Sequence, residues 1–177
     1  LHPMVIMGSI IGALFFFLQK SPCFPNIDNV SVGTVLIIML YGCTLLPLPL
    51  KWDIRGWTEM HPLNGPAWSL YYEYIGNILY ALFVRKFNKV ALSILVFLAA
   101  CATLHLCLTA PNGDIVGGWA LNWEQQYVGF VRLLYPFFAG LLLSRLGWLI
   151  RVKKRAFWWC SLMIVIVLSV PRIGGED

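Results

Sequence analysis

The fold of this chain is decided by residues 63–87, LNGPAWSLYYEYIGNILYALFVRKF. The stretch opens with Asn64, Gly65 and Pro66, which are typical of a helix start. Either Asn64 or Gly65 is predicted as the N-cap, with Pro66 in the first helical position. Aromatic and aliphatic residues then continue for long enough to cross a bilayer. We therefore predict a membrane-spanning helix over residues 63–87.

One carboxylate, Glu73, interrupts this apolar helix. An ionisable side chain at membrane depth costs about 2.5 kcal/mol or more, so such residues usually serve a function. Ser69, Glu73 and Asn77 are four residues apart and share one helix face. We predict that this polar face turns to the protein interior or to a wet cavity. The opposite flank, predicted to face lipid, consists of Leu70, Tyr74, Ile78 and Leu82.

The composition is that of a membrane protein. The 177 residues are 59% hydrophobic and 12% charged, whereas a soluble domain has about 25% charged residues. The expected class is therefore an all-α, polytopic helical membrane protein with the lipid bilayer as a partner. The net charge of +5 is assigned to cytoplasmic loops. Nucleic acid is excluded as a partner, because no basic cluster is interleaved with aromatics in a soluble domain.

Six apolar segments alternate with polar loops, which predicts about six spans. The segments are residues 3–18, 32–46, 63–87, 90–108, 127–146 and 156–170. The main loops are 19–31, 51–62 and 110–126, and residues 171–177 form a polar tail. Gly8 and Gly12 have the spacing that allows close helix contact. Pro136 and Gly140 are predicted to admit another helix in the same way.

Loop charge predicts which ends of the helices lie together. The basic loops 85–89 and 151–155 are two crossings apart and are predicted to be cytoplasmic. The loops 51–66 and 110–126 then lie on the opposite side. The second of these carries Asp114 and Glu124 and no Lys or Arg.

Three features are candidates for chemistry. The helix start at residues 64–68 offers backbone N–H groups and a positive dipole end to a phosphate, a thioester oxygen or an oxyanion. Arg132 is the predicted partner of Glu73, either in a site or as a structural ion pair. His61 is either an acid–base group or a loop histidine at the interface. No metal site is predicted, since Cys101 and His105 would supply only two ligands.

The run NGPAWSLYYEYIGNILY, residues 64–80, resembles the signature of membrane-bound acyltransferase family 3. That signature has a Pro-Xaa-Trp-Ser-Leu turn, a Glu four residues after the Ser, and aromatics beyond it. Two further runs, LHPMVIMGSIIGALFFF at 1–17 and GFVRLLYPFFAGLLLSRL at 129–146, resemble other helices of the family. The resemblance covers most of the chain loosely, and only residues 68–73 are specific.

The resemblance implies transfer of an acyl group, often acetyl, from acyl-CoA to a hydroxyl of a cell-envelope carbohydrate or another acceptor. It implies a multi-pass protein of the bacterial inner membrane, with acetyl-CoA as donor substrate and no permanently bound cofactor. The family's catalytic His and Arg belong to its first helix, which these residues do not contain. Residues 1–177 are therefore expected to be an internal part of one membrane domain, truncated at both ends and inactive alone.

The resemblance also implies roles for residues of the 63–87 helix. Trp68 and Ser69 would line the acyl route, and Glu73 would orient or balance a cation from another helix. These three are the candidate catalytic residues. The candidate substrate-binding residues are Asn64, Tyr72, Asn77, Arg132 and His61.

Other readings of the same residues stay open. A transporter or flippase for a sugar or anionic substrate would use intramembrane Glu73 and Arg132, although the chain shows no inverted repeat. A structural membrane subunit would bury the two as an ion pair. The family's helix count places loop 85–89 outside, opposite to the charge rule, so the orientation is open as well.

Overall fold

In the computed structural model, the chain is a set of helices joined by packed loops. The structure describes residues 2–110, 115–147 and 155–169. These ranges contain six α-helices and no β-strand, which confirms the all-α prediction. The α-helices are α1 (His2–Leu14), α2 (Val32–Gly42), α3 (Ala67–Leu82), α4 (Lys89–Thr109), α5 (Trp123–Leu146) and α6 (Ala156–Ser169). Short 3₁₀ helices cover Phe16–Gln19, Ile27–Asn29, Leu50–Trp52 and Val84–Lys86.

Side-chain caps set the starts of α2, α4 and α5. The capping oxygens belong to Ser31, Asn88 and Asn122, and each accepts the N–H three residues later. The cap at Asn122 makes α5 begin at Trp123, four residues earlier than predicted. The helix ends at Leu146 and is capped by Gly147, whose φ of 72° is the left-handed conformation typical of a glycine that follows a helix.

Helix α3 is shorter than predicted at both ends. Its N-cap position is occupied by Pro66, which makes no side-chain cap hydrogen bond, so the N-cap prediction for Asn64 or Gly65 is wrong. The amide of Asn64 donates instead to the carbonyl of Val5 in α1, at 3.4 Å. With 16 residues, α3 is about 24 Å long, less than the roughly 30 Å of a hydrocarbon core.

Two helices in the described ranges, α4 and α5, are long and apolar enough to cross a membrane. Of the most apolar 18-residue segment in each helix, only 11% in α4 and 22% in α5 is buried inside the protein. Their apolar surfaces are thus mostly exposed, as expected for helices that face lipid. Helices α1, α2 and α6 are apolar but have only 13, 11 and 14 residues. The number of spans therefore stays a prediction.

The loops that precede α3 and α5 meet at one end of the helices. The N–H of Met60 donates to the carbonyl of Trp119 at 2.7 Å, and Glu59 forms an antiparallel bridge with Ala120. The N–H of Leu48 donates in turn to the carbonyl of Met60 at 2.9 Å. The two loops that the charge pattern assigned to one side are therefore in contact.

The loop 51–62 is internally bonded despite its polar sequence. The carboxylate of Asp53 accepts the N–H groups of three later loop residues at 2.7–3.0 Å. The guanidinium of Arg55 donates to Gln19 at 2.6 Å and to Glu59 at 3.4 Å. Burial raises the pKa of Glu59 above its usual value, although the charge of Arg55 opposes this shift. The loop therefore gives α3 a defined starting position.

The first helix packs against the turn before α3. A Cβ atom on Gly12 would lie 1.7 Å from the carbonyl oxygen of Leu63, and one on Gly8 would lie 2.5 Å from Nδ2 of Asn64. The predicted close approach is confirmed, but its partner is a turn rather than a helix. A Cβ on Gly140 would meet no atom within 4 Å in the described part of the chain. The predicted approach of another helix at Gly140 has no partner among the described residues and stays a prediction.

At the other end, Arg145 near the end of α5 closes the turn that follows α3. Its guanidinium donates to the carbonyls of Val84 at 3.1 Å, Arg85 at 3.2 Å, and Phe87. The last carbonyls of a helical segment have no partner within the helix, and a cation there also favours the helix dipole. Arg145 therefore joins the ends of α3 and α5 beside the basic loop 85–89. The second basic loop, 151–155, lies outside the described residues except for Arg155.

Replacing Arg145 with Gln should destabilise the protein. Two of these three hydrogen bonds are exposed to solvent, where contacts of a charged group contribute no more than about 1 kcal/mol each. The part-buried bond to Val84 contributes roughly 1.5–3 kcal/mol. Because a glutamine can keep one bond, we expect a loss of about 2 kcal/mol. The measurement is the thermal unfolding temperature in detergent. The matched control is Arg85→Gln, because Arg85 contributes only its backbone carbonyl to this cluster. Equal shifts in the two variants would show that the guanidinium of Arg145 does not hold the turn.

Candidate functional site

A groove of about 500 Å³ runs between α3 and α5. On each helix the lining residues recur every three or four positions, mostly as adjacent pairs, so each helix contributes one face. The lining residues are Trp68, Ser69, Tyr72 and Glu73 from α3, and Gly129, Arg132, Leu133, Pro136 and Phe137 from α5. The fold thus brings Trp68, Ser69, Tyr72, Glu73 and Arg132 from the predicted site into one place.

Two glycines allow α3 and α5 to approach closely beside this groove. A Cβ on Gly129 would lie 2.1 Å from Cζ of Tyr72, so the phenol ring lies directly against the α5 backbone. A Cβ on Gly76 would lie 3.1 Å from a methyl group of Leu133. Sequence reasoning missed Gly129, because one glycine in an apolar run gives no local sign of what it contacts.

Arg132 is held in place on one wall of the groove. Its Cζ lies 4.7 Å from the centroid of the Trp68 ring, a cation–π geometry. Its Nη1 donates to the carbonyl of Gly117 at 2.9 Å. Gly117 and Gly118 have φ values of 140° and 105°, which favour glycine, and Gly118 donates to the side chain of Gln125 at 2.6 Å. The loop before α5 therefore positions the guanidinium over the tryptophan.

Glu73 and Arg132 line the same groove without forming an ion pair. The ion pairs found among the described residues are Lys20–Asp28 and Arg55–Glu59. The structural ion pair predicted between Glu73 and Arg132 is therefore wrong, since Arg132 is directed to Gly117 and Trp68. The Glu73 side chain is exposed and is available to a group that enters the groove.

The polar stripe of α3 lies along the exposed edge of the groove. The Ser69 hydroxyl donates to the carbonyl of Pro66 at 2.9 Å, and the Asn77 amide donates to the backbone carbonyl of Glu73 at 2.8 Å. Asn77 is exposed and does not line the groove. The buried residues of α3 are Ala67, Tyr72 and Gly76. The predicted polar stripe therefore borders the groove through Ser69 and Glu73, but it is not the buried face of α3, and Asn77 lies outside the groove.

The start of α3 does not offer the free donors that were predicted. The N–H groups of Ala67, Trp68 and Ser69 donate to carbonyls three residues earlier, at 2.8, 3.4 and 3.2 Å. These tight turns satisfy donors that an ordinary helix start leaves unpaired. Asn64 and the α3 terminus therefore contribute to the packing with α1 rather than to an anion site.

His61 is buried away from the groove. Its residue surface is 4% exposed, and its Nε2 has no hydrogen-bond partner. It borders a cavity of about 10 Å³ beside Ser9, room for about one water molecule. Burial lowers the pKa of His61 from 6.5 to about 4, so the imidazole is neutral at pH 7. His61 is therefore a loop histidine, as one of the two predictions had it, and it is buried within the packed loop.

His61 should make the protein less stable in mild acid. The folded pKa of His61 is about 4, below the unfolded value of about 6.5, so the unfolded state binds the proton more readily. The free energy of unfolding therefore decreases as the pH is lowered from about 6.5 to about 4. Between pH 7 and pH 5 this group alone should cost about 2 kcal/mol. The measurement is the unfolding temperature against pH, in wild type and in His61→Gln.

The variant should lose this part of the pH dependence. The exposed His105, changed to Gln in the same way, controls for removal of an imidazole. If wild type and His61→Gln show the same slope from pH 7 to pH 5, burial of His61 is not the cause.

Comparison with known proteins identifies one family. Residues 1–175 match the family model Acyl_transf_3, described as an acyltransferase domain. No curated protein and no solved structure matches the chain. Among the described residues, no group of three or more His, Cys, Asp or Glu side chains is arranged to hold a metal ion.

Proposed function

The chain belongs to the acyltransferase family that it matches over residues 1–175, and we propose that it transfers an acyl group from acyl-CoA to a hydroxyl. The proposed acyl group is acetyl, and the proposed acceptor is a carbohydrate of the cell envelope. The proposed location is the bacterial inner membrane. The exposed apolar surfaces of α4 and α5 support an integral membrane position.

One observation carries this proposal: the groove between α3 and α5. It collects the specific residues Trp68, Ser69 and Glu73 and sets Arg132 opposite them. A cleft with apolar walls and a few polar groups that converge on it is the usual form of a small-molecule site. We assign the aromatic wall to the acyl group. Arg132 is assigned to a negative charge on the donor or acceptor.

The proposed reaction makes one bond and breaks one. The acceptor hydroxyl oxygen attacks the thioester carbonyl carbon and forms a C–O bond, and the C–S bond then breaks. The hydroxyl proton passes to a base and finally to the leaving thiolate, which gives free coenzyme A. The groove residues include no histidine. Glu73 is therefore proposed to orient a base from outside the groove, or to balance its charge.

The test is an acyl-transfer assay on the purified protein. Reconstituted in lipid vesicles with acetyl-CoA labelled in the acetyl group, it should place the label in an alkali-labile ester on the carbohydrate. Movement of unmodified carbohydrate across the membrane, without ester formation, would favour a transporter and contradict the proposal.

Filling the groove should inhibit this transfer. Ser69→Leu is expected to lower the rate at least tenfold, because the larger side chain occupies the acyl route between α3 and α5. The control is Ser93→Leu on the exposed face of α4, whose hydroxyl also bonds only to its own helix. Equal rates for both variants would place the acyl route elsewhere.

A further inference from the structure

The hydroxyl of Tyr72 is a polar group without a partner at the wall of the groove. The residue is 2% exposed, and its hydroxyl oxygen is one of three buried side-chain polar atoms in the described part of the chain that make no hydrogen bond. Leaving such a group unsatisfied costs about 1–3 kcal/mol, so each case needs an explanation. The other two, Nε of Arg55 and Nε2 of His61, lie outside the groove lining.

Aromatic rings and backbone surround this phenol. It makes edge contacts with Trp68, Tyr71 and Phe130 at centroid distances of 6.1, 5.2 and 5.4 Å. On the α5 side it meets Gly129, where a Cβ would lie 2.4 Å from the hydroxyl oxygen. The Tyr72 hydroxyl makes no hydrogen bond to any of these neighbours. Tyr72 and Gly129 also line the groove together with Ser69 and Glu73.

We infer that the Tyr72 hydroxyl donates a hydrogen bond to the carbonyl oxygen of the acyl thioester bound in the groove. This inference rests on the proposed function. A slight tilt of the ring toward the groove exposes the hydroxyl, and that movement breaks no hydrogen bond because none is present. A donor already removed from water also needs no further desolvation when the carbonyl arrives. The bond strengthens as negative charge develops on that oxygen during attack.

A purely structural tyrosine behaves differently. If Tyr72 only fills space, Tyr72→Phe removes an unsatisfied hydroxyl and leaves ligand binding unchanged. If Tyr72 is the carbonyl donor, the same variant folds at least as stably but binds carbonyl compounds more weakly. Stability and binding therefore separate the two roles.

The experiment uses two non-reactive analogues of acetyl-CoA with the protein in detergent. The ketone analogue replaces the thioester sulfur by methylene and keeps the carbonyl oxygen, whereas S-ethyl-CoA lacks that oxygen. We expect Tyr72→Phe to weaken ketone binding about tenfold and to leave S-ethyl-CoA binding unchanged, as measured by calorimetry. The control is Tyr74→Phe, which is 59% exposed and lies outside the groove. It should change neither affinity.

Each outcome decides the matter. Unchanged ketone binding in Tyr72→Phe, with tight binding in wild type, overturns the role of Tyr72 and leaves the proposed function standing. Failure of wild type to bind either analogue overturns both. If Tyr72→Phe does not fold, the fallback variant carries 4-aminophenylalanine at position 72, which keeps an N–H donor. If this variant still binds the ketone more tightly than S-ethyl-CoA, the result supports the inference. Loss of that preference overturns it.

Discussion

Replacing Glu73 with Gln should lower acyl transfer by about two to three orders of magnitude, the range in which groups that assist proton transfer contribute. The variant should still fold. The side chain is exposed, and the neighbouring Asn77 bonds to the backbone carbonyl of Glu73 rather than to its carboxylate. Glutamine keeps the size of the side chain and removes only its charge. The measurement is the initial rate of labelled acetyl transfer at saturating acetyl-CoA.

Two comparisons make this test specific to the groove. Glu124→Gln removes an exposed carboxylate from the first turn of α5. Because this residue lies outside the groove, the transfer rate should stay within about twofold of wild type. The loss of a charge at a helix end should lower stability by only about 0.3–1 kcal/mol. The unfolding temperature of Glu73→Gln should stay near that of wild type. Full activity in Glu73→Gln would remove Glu73 from the mechanism.

Replacing Gly12 with Ala should prevent α1 from docking. The new methyl group would lie 1.7 Å from the carbonyl oxygen of Leu63 and 2.7 Å from its carbonyl carbon. Both obstacles are backbone atoms, so no side-chain rotation relieves the clash. Overpacking typically costs 1–3 kcal/mol where side chains can move, and we expect about 4 kcal/mol or more here. The measurement is the yield of monodisperse protein in detergent, followed by its unfolding temperature.

The opposite effect is expected at Gly140. A Cβ there meets no described atom within 4 Å, and alanine favours a helix interior over glycine by up to about 1 kcal/mol. Gly140→Ala should therefore leave the protein as stable as wild type or slightly more so. A folded Gly12→Ala protein with an unchanged unfolding temperature would contradict the close contact between α1 and the turn at Leu63.

Length and apolar composition predicted most of the helices. The bounds of α4 and α6 came within one residue of the prediction at each end, because long apolar runs between polar loops leave few alternatives. Helix ends were harder to predict. The cap at Asn122 lies in a segment predicted to be a loop. Helix α3 is shorter than predicted because the residues at both of its ends form tight turns instead. Caps depend on local backbone conformation, which the apolar pattern does not record.

The sequence by itself determined the family and singled out residues 63–87. The run from Trp68 to Glu73 has fixed spacing within one helix, and contacts inside a helix follow from spacing alone. The spacing also placed Ser69, Glu73 and Asn77 on one face, but it did not show which face packs inward. That choice depends on what α5 presents, because Gly129 admits the ring of Tyr72.

Only the tertiary structure decided which groups meet across the groove. Opposite charges predicted a pair between Glu73 and Arg132, whereas the loop before α5 presents the carbonyl of Gly117 to Arg132 and sets Trp68 beneath it. Likewise, Gly8 and Gly12 indicated a close contact, and the fold supplied the turn at Leu63 as its partner. Spacing fixes neighbours along one helix, whereas partners between segments depend on how loops and glycines let those segments approach.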